Sequence, residues 1–99
     1  MAVTFDVRKL AARYAGRPAV PEVSVVSGAN ANTNIAVKDR TGQNIRVEDM
    51  IANVVEFTAG VPSDITSTVK VTSDGNVQST ESTSGNKLVI FWYKRRPGL

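Results

Sequence analysis

Ser84-Gly85-Asn86-Lys87 places a serine and a lysine three positions apart, the spacing of the serine–lysine pair used by penicillin-recognising enzymes. That pair works where a helix begins, so that the two side chains meet one turn apart, and it needs companion Ser-Asp-Asn and Lys-Thr-Gly motifs. Neither companion occurs here, and the four residues read as a hairpin turn. The match is one of letters. The nine carboxylates are scattered, with no pair on one helix face or one convincing strand face for acid–base work. Asp74-Gly75 lacks the rest of a calcium loop, and Gly28 is followed by no Gly-Lys-Ser/Thr that would make a phosphate loop. The chain has no histidine and no cysteine. The commonest general base, the commonest metal ligands and any disulfide framework are thereby removed. The sequence therefore predicts no catalytic, cofactor-binding or metal-ligating residues, and no enzyme.

One cluster has a different use. Phe91-Trp92-Tyr93-Lys94-Arg95-Arg96 sets aromatics beside basic residues, which is what a stacking platform for single-stranded nucleic acid requires. Strand alternation lets only Phe91 and Tyr93 share an exposed face, and Trp92 is better explained as core.

The element that must position these residues is the run Lys87–Lys94. Its six central apolar or aromatic residues are too few for a helix core or a membrane span, and they read as a strand buried on both faces. Leu88, Ile90 and Trp92 point one way; Val89, Phe91 and Tyr93 point the other, toward the core or another subunit. At 99 residues, 41% apolar, the chain is sized for one domain. Its strands are expected at 22–26, 35–37, 45–47, from Met50 to Phe57, at 66–72 and at 77–82. Residues 47–57 fit a helical stripe almost as well, and β-branched content decides for strand. Asp74-Gly75 is the strongest hairpin turn signal. Val77–Ser82 is polar on both faces and belongs at a sheet edge or on a projecting arm. Pro62 places 58–64 in a loop. The fold class is thus mainly β, a small sandwich or barrel of six to eight strands.

Charge is placed unevenly. The net charge is +3, yet residues 19–93 hold five basic and eight acidic residues. Residues 1–18 carry Arg8, Lys9, Arg13 and Arg17 against Asp6, and the end carries Lys94, Arg95 and Arg96. Residues 5–15 have helical spacing: Val7, Leu10, Ala11 and Tyr14 form one stripe, and Arg8, Lys9 and Arg13 the other side. Asp6 caps the start, Gly16 ends the helix and Pro18 forbids continuation. So short a helix must dock, on its own sheet or on a neighbour. The division is then an N-terminal arm or short helix at 1–18, tethered through an extended linker at 16–21, a β domain at 19–94 and a basic tail at 95–99. The candidate protein-interface residues are Arg8, Leu10, Arg13, Tyr14 and Arg17 with Phe91, Tyr93, Lys94, Arg95 and Arg96.

From Pro21 to Lys94 the order of pieces resembles small structural proteins of tailed bacteriophages, of the kind encoded with the major capsid protein. The resemblance is carried by Val23-Ser-Val-Val-Ser-Gly-Ala-Asn-Ala-Asn-Thr-Asn-Ile-Ala-Val37, by Asp64-Ile-Thr-Ser-Thr-Val-Lys-Val-Thr-Ser-Asp-Gly-Asn-Val77 and by Gly85-Asn-Lys-Leu-Val-Ile-Phe-Trp-Tyr-Lys94. It covers about three quarters of the chain, in strand and turn patterns and not in an active-site signature. It is similar to head decoration (cement) proteins. Those are compact β domains on the capsid lattice, often trimers, with arms across neighbouring subunits. The implied partners are the major capsid protein and copies of this chain. The lack of any apolar run of transmembrane length predicts no membrane, and the mildly acidic body speaks for protein over nucleic acid. The implied location is the virion, and the host cytoplasm before assembly. The basic segment ahead of Pro18 departs from the resemblance. The alternatives are a neck or tail connector subunit, and a small barrel that binds nucleic acid through its basic ends.

Overall fold

A computed structural model describes residues 19–95, with side chains through Lys94. The expected helix at 5–15, the arm residues Arg8, Leu10, Arg13, Tyr14 and Arg17, and Arg96 of the tail lie outside the described residues.

The chain is mainly β. Among the described residues seven strands form two antiparallel sheets: β1 (Ala19–Ser27), β2 (Ile35–Ala36), β3 (Met50–Thr58), β4 (Val61–Asp64), β5 (Val69–Ser73), β6 (Asn76–Ser79) and β7 (Lys87–Arg95). The larger sheet has the order β1-β7-β3-β4 and the smaller β2-β6-β5. The run at 87–94 is central as expected, hydrogen-bonded to β1 along one side and to β3 along the other. Its Leu88, Ile90 and Trp92 meet Val54 of β3, Ile35, Val69 and Val77 of the smaller sheet, and Val37 and Ile45 from the intervening loop, in one buried cluster. Trp92 also donates from Nε1 to the Ser24 hydroxyl at 2.9 Å, so its polar edge is satisfied inside.

Residues 47–57 resolve as strand from Met50, in keeping with their β-branched content. Asp74-Gly75 turns β5 into β6, with Gly75 at φ +92 where a side chain would be strained. Other boundaries move. The linker expected through Pro21 is strand from Ala19, because β1 is an edge strand and tolerates a proline that donates no hydrogen bond. The same tolerance lets Pro62 sit in edge strand β4, where a loop was expected. Residues 45–47 form no strand: Ile45 enters the core from a loop and Val47 is exposed. Thr66–Thr68 is a 3-10 turn, which shortens the strand expected there to start at Val69. β6 is the centre of its sheet and not an edge, with Val77 and Ser79 buried. Its one hydroxyl side chain is satisfied internally: Ser79 Oγ lies 3.1 Å from Thr68 Oγ1 and accepts from the Glu81 amide.

Candidate functional site

β7 is buried on one face only, a correction to the two-faced burial expected of it. Its second face is open, Phe91 being 39% and Tyr93 37% exposed. Register extends that face across three strands. Val25 lies opposite Val89, Val23 opposite Phe91 and Pro21 opposite Tyr93. On the other side Val55 meets Val89, Asn53 meets Phe91 and Met50 meets Tyr93. An irregularity between Ile51 and Asn53 keeps both Met50 and Asn53 on the outer side while Ile51 stays beside Trp92. Phe57 continues the face toward Pro62 of β4. The alternation of β1 is therefore inverted relative to the usual pattern. Val23 and Val25 face out, while Glu22 and Ser24 face in. A continuous exposed apolar face of this kind is uncommon on a protein that acts alone.

The inner face at the other side of β1 and β7 holds charge. Glu22 is the residue opposite Trp92, and Lys94 lies two residues further on the same face. Asp39 reaches them from the loop after β2. That loop is fixed by the Ser24 hydroxyl, which donates to the Lys38 carbonyl at 2.6 Å, and by the Lys38–Asn44 bridge. Lys94 Nζ donates to Asp39 Oδ2 at 2.6 Å and lies 3.7 Å from Glu22 Oε2. Asp39 Oδ1 accepts from the Thr41 amide at 2.8 Å, the Thr41 hydroxyl at 2.6 Å and the Gln43 amide at 2.9 Å. Glu22 Oε1 accepts from the Arg40 amide at 3.3 Å, and Oε2 lies 3.6 Å from Arg40 Nε. Both carboxylates are buried, Glu22 Oε2 has no hydrogen-bond partner, and Lys94 is 9% exposed. Burial works to raise the Asp39 carboxyl, but the donors from Lys94, Thr41 and Gln43 outweigh it and hold the group well below the usual carboxylate range.

Of the sequence-based site residues, Phe91 and Tyr93 are brought together on the open face. Lys94 is not part of a basic tail with them; it turns inward to Asp39. Strand β7 runs on through Arg95, at which the tail was expected to begin. Glu22 and Asp39 carry no motif that marks them as a pair in the sequence; the signal for Glu22 is its parity with Ser24 along β1. Ser84 lies in the turn before β7 and Lys87 is the first residue of that strand, its Nζ donating to Ser27 Oγ at 3.1 Å. Among the described residues no cluster of acidic groups is arranged to hold a metal ion. Two shallow grooves, one lined by 47–51 with 69–71 and one by Lys38, Asn44, Arg46 and Asp74 among others, are open to solvent. Comparison with protein-family models, with curated proteins and with solved structures finds no match to this chain.

Proposed function

We propose that this chain is a non-enzymatic virion structural protein of a tailed bacteriophage, a head decoration (cement) protein whose two sheets form a sandwich. Its work is to bury surface against the major capsid protein lattice and against copies of itself, on the capsid surface after assembly in the host cytoplasm. The observation that carries this reading is the open apolar face formed by Val23, Val25, Met50, Phe57, Phe91 and Tyr93. Such a face gains free energy by excluding water from contact with another protein, roughly 25 cal/mol for each Å² of apolar surface removed. Among the described residues this face carries no continuous basic stripe of the kind that supports nucleic-acid binding. The basic, amphipathic residues 1–18 supply an arm onto a neighbour, with Leu10 and Tyr14 giving the apolar contact and Arg8, Arg13 and Arg17 pairing at the rim. Many weak copies on a lattice then hold by multivalency.

The test is the size-exclusion mass of the purified protein, alone and mixed with empty shells assembled from a tailed-phage major capsid protein. Co-elution with shells at a fixed ratio is expected. A fluorescent oligonucleotide titrated at low salt is the second arm. Tight, salt-sensitive binding there, with no binding to shells, refutes the proposal in favour of a nucleic-acid role.

A further inference from the structure

We propose that Lys94 and Asp39 join to each other in an intramolecular amide, with Glu22 as the proton carrier, so that the mature body is cross-linked from the loop after β2 to the end of β7. The proposal stands apart from the decoration role and holds or fails without it.

The arrangement has each part that amide formation needs. The Lys94 amine and the Asp39 carboxyl are in contact at 2.6 Å, which puts the carboxyl carbon roughly 3–3.5 Å from Nζ, the separation of a near-attack geometry. Three donors converge on the other oxygen, Oδ1: the Thr41 amide, the Thr41 hydroxyl and the Gln43 amide. That is the disposition of an oxyanion hole, already built around the oxygen that gains charge on attack. The third group is Glu22, whose buried Oε2 lacks a hydrogen-bond partner and lies 3.7 Å from Nζ. Water is kept out: Glu22 is 3% and Asp39 6% exposed.

The step balances without any outside reagent. Lys94 begins as an ammonium and Asp39 as a carboxylate. The first proton passes from Nζ to Oδ2 along their hydrogen bond, leaving a neutral amine beside a neutral acid. The Nζ lone pair then attacks Cγ, the carbonyl pair moves onto Oδ1, and the Nζ–Cγ bond forms. Glu22 takes the second proton from Nζ and gives it to the Oδ2 hydroxyl. The Cγ–Oδ2 bond breaks, Oδ2 leaves as water, and the carbonyl reforms. Nothing is oxidised or reduced, and Glu22 ends as it began, facing Arg40. Two buried charges are exchanged for one neutral amide, which removes the desolvation cost that a buried ion pair carries. The donors on Oδ1 favour the carboxylate and so slow the first transfer, while the same donors speed the attack. The reaction occurs once per chain, without turnover.

The experiment is intact mass spectrometry of the full, denatured chain, followed by peptide mapping. The expected wild-type mass is lower than the sequence mass by one water, with a joined peptide that contains both Asp39 and Lys94. Lys94→Met and Glu22→Gln are expected at full sequence mass. In Asp39→Asn the same amide forms with loss of ammonia in place of water. The joined peptide holding both positions separates it from a succinimide at position 39, which loses ammonia within a single peptide. A wild-type chain at full sequence mass overturns the proposal. So does a loss of water that maps to a succinimide within a single peptide, such as the one holding Asp74-Gly75.

Discussion

Trp92 shows how much a single residue decides in a domain this small. Its indole fills the centre of the cluster and its Nε1 is bonded to Ser24, which in turn holds the Lys38 carbonyl. Trp92→Ala removes the packing and leaves a cavity, and is expected to cost about 3–5 kcal/mol in chemical denaturation. A loss under about 1 kcal/mol would place the ring at the surface. The core role of Trp92 was legible because alternation puts it with Leu88 and Ile90. The pairing of Lys94 with Asp39 was not legible, since 55 residues separate them and only the fold brings them together. Asp39 also gives a pH prediction for any chain that lacks the amide, such as Glu22→Gln. Its folded-state carboxyl titrates below the unfolded value of 3.8, so its contribution to stability is complete above that value. It is lost as the pH falls below about 4 toward the folded-state value. The Glu22→Gln variant should therefore destabilise more steeply on acidification than a Glu22→Gln/Asp39→Asn double variant, measured as melting temperature against pH. Equal slopes would contradict this. In the amide-linked chain the Asp39 share disappears.

At the scale of elements, turns and strand types were readable from local chemistry, while edges and centres were not. Asp74-Gly75 specified its hairpin because the glycine supplies a backbone angle other residues resist. Whether a strand is central depends on what pairs with it, and that is why polar β6 looked like an edge. It is held inside by Val77 and by the Ser79–Thr68 hydroxyl pair. The return from β6 to β7 packs equally closely against the end of β1. Gly28 donates to the Asn86 carbonyl at 2.8 Å, and a Cβ at this position would fall 1.9 Å from the Thr83 carbonyl oxygen. Thr83 is itself fixed, its hydroxyl accepting from the Ala29 amide. Gly28→Ala is thus expected to destabilise by at least ~1–3 kcal/mol, since backbone must move to admit one methyl group. A melting curve unchanged from wild type would show that this junction can open freely.

At the scale of the whole molecule, the two faces of β7 meet different surroundings. The inner face holds the two sheets together, and the outer face presents an apolar surface with no covering among the described residues. Alternation along 88–93 divides the residues between the faces, but an apolar run predicts burial of both, because it does not say whether its second partner belongs to the same chain. The central claim is that this outer face is the surface by which the protein binds its assembly. It is tested most directly with Val25→Lys/Phe91→Lys, two changes on adjacent strands that leave the inner core untouched. With folding verified by melting, saturation of empty capsid shells is measured for this variant and for wild type by co-sedimentation. The account predicts that wild type saturates the shells at a fixed ratio and that the variant's apparent affinity falls at least about tenfold, the consequence of burying charge in an apolar contact. Equal saturation by a folded variant would contradict it.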